Sequence, residues 1–387
     1  MKTNNALFSL GFRPFFLVAS IFAFLSILIW VIVLFFSVNI SAFNYYPATI
    51  WHAHEMIFGY LMAVISGFLL TAIKNWTGIQ TINGTKLLLL VSLWIVGRIA
   101  PFMTDINWLI AIGDMLFLPV LAYFVALPLI QASNKRNYFI IGLIIIFGLL
   151  NMLIHSELLG LATNVSNYAL KIGLYLIIAL IIIMAGRVLP MFSQNGVTIK
   201  YQVKKYPFVE KLVIPSYILF MISVIFIKIP MVVFIASLLT AMIHSMRLKG
   251  WYNSQIWQVP LVWVLHVGYL FLIVGFIMSA ISAFKPSLYF LAMHAFSVGT
   301  VGIITSGMMA RVSIGHTGRN LKHPPKTVYS IFLFLTLAAI VRSLLPIIFP
   351  SFYQWTILVS GLLWALAFLL FVISYAGFLI KPRADSM

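Results

Sequence analysis

The chain contains no cysteine, and only six of its 387 residues are acidic. The first absence removes disulfides, thiolate metal sites, iron–sulfur clusters and thioether-attached haem together. A bound metal therefore has only His, Met, carboxylate or backbone ligands. Charged residues of both signs amount to 8%, against roughly 25% in a soluble domain, which rules out an ordinary soluble core. There is no phosphate loop, dinucleotide fingerprint or nucleophile elbow, so ATP-driven transport is not expected on this chain.

What the chain has is hydrocarbon. Hydrophobic residues make up 63%, and the mean hydropathy is +1.11. A chain of this length holds about a dozen spans of ~20 residues. Ile141–Leu150 and Gly173–Gly186 are apolar at nearly every position, whereas the strands of a barrel alternate, so the spans are helices. The expectation is an all-α polytopic membrane protein, with helices near 15–37, 49–73, 87–103, 107–131, 138–157, 167–189, 210–228, 230–246, 257–282, 288–311, 327–348 and 352–380. After Met1 and Lys2 the first apolar run spans and lacks a small-residue cleavage site, so no cleavable signal peptide is expected.

The net charge of +18 serves topology rather than nucleic acid. Nineteen of the 24 Lys and Arg fall on the side of the N-terminus when the spans are threaded in order. That is the positive-inside pattern, with both termini cytoplasmic. One membrane domain over 1–387 is expected, with the polar, basic loop 191–209 as a hinge between six-helix halves 1–190 and 210–387. An offset of 240 aligns His54 with His294, Gly59 with Gly299, Ser66-Gly67 with Ser306-Gly307 and Thr77-Gly78 with Thr317-Gly318. The amphipathic segment Leu7–Phe16 reads as an interfacial anchor or a binding element.

Trp51–Tyr60, WHAHEMIFGY, packs two His and a Glu into the head of an apolar span, and ionisable groups in lipid are functional by default. Of the eight His, His52, His54, His155 and His294 lie near outer helix ends, and His266 lies mid-span. His244, His316 and His323 lie at or below the inner boundary. His52 and His54 are ~200° apart on a regular helix, so they cannot share a metal, while His52 and Glu55 share a face. His54 and His294, at one depth on different helices, form a candidate ligand pair, and neutral imidazole is the usual axial donor to haem iron. The other reading is that each is a hydrogen-bonded residue between helices. His266 shares a face with Tyr269, as a second metal site or an aromatic interface. Arg187 and Arg311, at inner helix ends, either anchor the topology or pair with haem propionates. Arg98, with Asp105 and Asp114 nearby in sequence, is a candidate for a buried ion pair.

Gly11–Phe16 (GFRPFF), Trp51–Tyr60, Gly67–Gly78, Gly186–Pro190 (GRVLP), Leu265–Tyr269 (LHVGY) and His294–Gly318 together resemble the NnrS family. That resemblance implies twelve helices in a bacterial inner membrane, haem (b-type) and copper, and a part in nitric oxide metabolism or resistance to nitrosative stress. A weaker likeness is to the catalytic subunit of haem–copper oxidases and nitric oxide reductases, where His54 and His294 occupy places comparable to the low-spin haem ligands. The copper motifs of that subunit are absent, so copper here would use a set drawn from His52, His244, His266 or His316. The implied partners are the lipid bilayer, nitric oxide or a related small molecule, and a membrane electron donor. The alternative is a secondary transporter of a metal or metal complex through a His-lined site.

Overall fold

Hydrocarbon offers no partner for a backbone N–H or C=O, so each long apolar run closes its own hydrogen bonds as a helix. The computed structural model describes residues 6–197 and 201–386, and among these residues there is no strand. Twelve helices are long and apolar enough to span: α1 Phe12–Phe36, α2 Ala48–Thr77, α3 Gly84–Met103, α4 Asn107–Gln131, α5 Lys135–Leu158, α6 Ser166–Gly196, α7 Pro207–Ile227, α8 Pro230–Trp251, α9 Pro260–Ser282, α10 Pro286–Gly315, α11 Thr327–Ile348 and α12 Pro350–Ile380. The twelve-span expectation holds.

Two features differ from the sequence reading. Helix α6 continues through Pro190 to Gly196, so the first part of the expected loop 191–209 is helix. Proline inside a membrane helix frees the carbonyl four residues back, and neighbouring helices, hydroxyl side chains or water ordinarily satisfy it. Residues 198–200 of that loop lie outside the described residues. Helix α2 is not uniform either: α-helical at Ala48–His54, it widens to a π-helix over Glu55–Leu61 and returns to α from Met62. The same irregularity recurs about 240 residues on, where α10 is α-helical at Tyr289–His294, π over Ala295–Gly302 and α from Ile303. In both helices the last α residue is a histidine.

The chain falls into two compact units. One comprises Met1–Gly173, Val312–Arg319 and Phe371–Met387; the other Leu174–Arg311 and Asn320–Leu370. This partition differs from halves meeting at 191–209.

In the first unit, the segment read as an interfacial anchor is a packing device. Phe12, Arg13, Phe15 and Phe16 are buried. The Phe12 amide donates to Thr71 Oγ1 at 3.0 Å. The Arg13 guanidinium donates to the carbonyls of Leu379 (2.9 Å) and Lys381 (2.7 Å), groups that the end of α12 leaves without intrahelical partners. The Ala384 amide donates to the Thr317 carbonyl at 3.0 Å. In the second unit, Tyr175, Tyr217, Phe220, Phe276 and Phe296 form a cluster of rings packed edge to face or tilted, as aromatic quadrupoles prefer.

Candidate metal centre

Within the first unit, successive helices alternate in direction. The starts of α2 and α4 and the ends of α3 and α5 therefore lie at one end of the bundle. Those segments carry Glu55 and His54, Asp114, Arg98, and Asn151 with His155. All six are nearly inaccessible, with relative exposures of 0–6%.

The side chains close into a ring. Arg98 donates to Glu55 Oε2 at 2.6 Å and pairs through its other terminal nitrogen with Asp114 Oδ1. His54 Nδ1 faces Glu55 Oε1 at 3.1 Å, and its Nε2 faces Asn151 Oδ1 at 2.8 Å and Asp114 Oδ2 at 3.2 Å. Asn151 Nδ2 donates to Asp114 Oδ2 at 2.9 Å, which fixes the amide so that its oxygen points at His54. His155 Nε2 meets the same Asp114 oxygen at 2.9 Å, and its Nδ1 faces the Tyr45 hydroxyl at 2.8 Å. With the His155 proton held on Nε2 toward the carboxylate, Nδ1 accepts from the Tyr45 hydroxyl, and burial pushes that phenol up.

Local backbone makes this approach possible. Residues i and i+1 do not ordinarily face each other on an α-helix, yet the His54 and Glu55 side chains meet at the point where the π segment begins. A Cβ on Gly59 would lie 2.6 Å from the Phe22 ring and 2.9 Å from Glu55 Oε2, so only glycine leaves the carboxylate its place. The Gly59 carbonyl, inside the widened turn, accepts from Trp94 Nε1 at 3.1 Å. A Cβ on Gly97 would stand 2.8 Å from Asp114 Oδ1 and 3.0 Å from the Asp114 Cα, which is why α4 can approach α3 so closely.

His54, Asp114 and His155 each offer one ligand atom, and these atoms lie within 4.8 Å of one another. Two imidazoles and a carboxylate suit copper or non-haem iron. Glu55 accepting from His54 Nδ1 is the arrangement that orients a ligating imidazole and raises its basicity. A metal arriving at His54 Nε2 would stand where the bonds to Asn151 and Asp114 now run. At His155 the same arrival would move the ring proton to Nδ1, with the Tyr45 oxygen as its acceptor.

The sequence reading anticipated part of this. Arg98 does form a buried pair with Asp114, and also with Glu55. The expected pairing of His52 with Glu55 is corrected: Glu55 takes Arg98 and His54, while the His52 ring stacks on Trp30 at 4.5 Å. The Glu55 amide still bonds the Trp51 and His52 carbonyls, so a shared helix face did not decide the partner; the carboxylate is taken by Arg98 and His54. The expected pairing of His266 with Tyr269 is corrected too. Tyr269 bonds His244, and His266 instead meets the Val262 carbonyl (3.2 Å) and Ser193 (3.4 Å). The other expected site residues are scattered. His316 belongs to the first unit, and His244, His266, His294, Arg187 and Arg311 to the second. His294 donates from Nδ1 to the Phe290 carbonyl at 2.6 Å. Arg187 is exposed on α6, and the Arg311 guanidinium lies 3.6 Å from the Phe192 ring centroid. Asn151 and Tyr45 were missed, and His155 had been placed in the outer layer but given no role. Asn151 and His155 stand four apart on an otherwise apolar helix, a spacing that puts both on one face.

His316, beyond the end of α10, packs against Phe12 at 5.7 Å. Burial, then the charge of Arg383, pushes its imidazole below the ordinary histidine range. The folded state therefore resists protonation that the unfolded chain accepts. Stability should fall as pH drops through about 6.5, until the folded-state value is reached. Denaturant titrations at pH 7.5 and 5.5 should show this loss, and His316→Asn should reduce it.

Among curated proteins no match to the sequence was found. A model of the protein family described as NnrS protein, however, matches residues 6–383, nearly the whole chain. The chain, with its twelve apolar helices and its buried His–Asp–His cluster, belongs to the NnrS family.

Proposed function

We propose that this protein holds a copper ion at His54, Asp114 and His155 and handles nitric oxide, as ligand or substrate, in the defence of a bacterial inner membrane against nitrosative stress. The observation that carries the reading is the convergence of three buried ligand atoms within 4.8 Å, with Glu55 behind one of them. Copper brings one-electron chemistry and an affinity for diatomic ligands. The chain's own residues orient the two imidazoles, balance charge through Arg98 and exclude water. Nitric oxide, small and lipid-soluble, reaches such an enclosed site where a polar substrate would not.

Haem, also implied by the family likeness, suits His294 better than His54. Nε2 of His54 is the nitrogen this reading gives to copper and its Nδ1 faces Glu55, so His54 has no nitrogen left for a second metal. At His294 the proton held on Nδ1 by the Phe290 carbonyl leaves Nε2 with the lone pair, the tautomer that ligates haem iron.

The test is metal analysis of detergent-purified protein beside absorption spectra, oxidised and dithionite-reduced, with and without nitric oxide. About one copper per chain and a spectrum shifted by nitric oxide are expected. A colourless, metal-free protein that carries copper into proteoliposomes would replace this reading with transport.

A further inference from the structure

The second unit buries a polar group that the metal centre does not use. His244, Arg247 and Trp251 stand at i, i+3 and i+7 on α8, one face of the helix, against Tyr269 of α9. His244 and Tyr269 have no accessible surface, and Trp251 and Arg247 have only 1% and 6%. The Tyr269 hydroxyl lies 2.6 Å from His244 Nδ1 and accepts from Arg247 Nη1 at 3.2 Å. Arg247 is otherwise fully occupied: it is bidentate to Glu210 at 3.0 and 2.8 Å, donates to the Ile182 carbonyl at 3.1 Å and lies over the Trp251 ring.

The direction of the central bond follows. A guanidinium only donates, so the phenol oxygen accepts from Arg247 and its own proton has His244 Nδ1 as its acceptor. The other ring nitrogen, Nε2, has no hydrogen-bond partner among the described residues. Buried polar groups are ordinarily satisfied, and an exception calls for an account. Here the imidazole is held for one nitrogen alone, aimed at one phenol. Tyr45 also meets a histidine, but His155 is committed on its far side to Asp114. Tyr175 and Tyr217 donate to the Met293 sulfur and the Tyr175 carbonyl, neither a base.

From this geometry we infer that Tyr269 is a one-electron donor, with His244 as the base that takes its proton. The oxidant is nitrogen dioxide, a neutral radical that dissolves in the hydrocarbon around the helices. Its choice rests on the nitrogen-oxide reading above; the Tyr–His pair does not. In the step, one electron passes from the phenol to nitrogen dioxide, which becomes nitrite, and the O–H proton moves to His244 Nδ1. A phenoxyl radical and an imidazolium remain, and the Arg247–Glu210 pair adds no net charge beside them. A second nitrogen dioxide adding ortho to the phenoxyl oxygen leaves 3-nitrotyrosine once the ring proton shifts to oxygen.

The experiment is pulse radiolysis of the full-length protein in detergent, generating nitrogen dioxide. The phenoxyl absorption and its rise time are followed, then nitrated peptides are mapped by mass spectrometry. The wild type should form phenoxyl with nitration concentrated at position 269. Tyr269→Phe, which removes only a hydroxyl, should abolish that fast component, and His244→Phe should slow it at least about a hundredfold, the lower end of what a positioned base contributes. Tyr175→Phe should leave it unchanged. To separate a misfolded variant from a true loss, 2,3-difluorotyrosine at position 269 should give a radical whose magnetic resonance spectrum carries fluorine hyperfine splitting. An unchanged phenoxyl yield in Tyr269→Phe, an unchanged rate in His244→Phe, or a radical without fluorine splitting would overturn the assignment. Metal content is read on the same samples. Full copper loading with no radical at Tyr269 refutes this inference alone, and a radical in metal-free protein refutes only the copper reading.

Discussion

Arg98→Met should be the most destabilising single change in the first unit, lowering stability by about 3–5 kcal/mol, the usual cost of removing one partner of a buried ion pair. Arg98 lies between Glu55 and Asp114, both below 5% exposed, and its removal leaves two carboxylates facing each other with no guanidinium. Methionine keeps the volume, so the loss reports charge rather than a cavity. Arg98→Lys should fall between, because one ammonium cannot reproduce a fork that reaches two carboxylates. Adding Glu55→Gln and Asp114→Asn to Arg98→Met should recover most of the loss, since the deficit lies in the stranded charges. The readout is the midpoint of an SDS or thermal unfolding titration in mild detergent. The exposed pair Arg383–Asp385 serves as control. Arg383→Gln should leave the midpoint where it is. A triple variant as unstable as Arg98→Met would show that packing, not charge, is the cause.

His155→Ala and Asp114→Asn should each weaken metal binding by roughly 100-fold or more. Structural sites of four ligands bind with about 10–16 kcal/mol, so a single ligand accounts for about 3 kcal/mol. Glu55→Gln removes no ligand but deprives His54 of the carboxylate that orients it, and should cost about 10- to 100-fold. Equilibrium dialysis against a chelator, followed by copper analysis, separates the two classes. If His155→Ala keeps its copper while His294→Ala loses it, the centre belongs to the second unit and the assignment to His54, Asp114 and His155 is wrong.

How far these features were legible in the sequence follows from their range. The spans were legible because twenty apolar residues in a row have one solution in a bilayer. Arg98 with Asp114 was legible because charges are so scarce here that a buried one has few candidate partners. The partnership of His54 with Asn151 and His155 was not, since it joins residues about a hundred positions apart, and hydropathy carries no information on which helices become neighbours. Only the Asn151–His155 spacing on an apolar helix marked that face. The π segment at Glu55 was invisible for another reason. Nothing in Glu55–Leu61 departs from an ordinary helical composition except Gly59, and its role depends on Phe22 and Arg98 arriving from other helices.

The contact of Arg13 with the carbonyls of Leu379 and Lys381 bears on how the protein is made. Arg13 opens the first spanning helix, yet the acceptors of its buried guanidinium are synthesised 366 and 368 residues later. The first unit also includes residues 312–319 and 371–387, although the side chains of its candidate metal centre are all synthesised by residue 155. Until those residues are made, the nascent chain holds Arg13 without these acceptors. The bundle therefore closes late in synthesis, and a chain cut before Leu379 would leave that guanidinium without these two carbonyls.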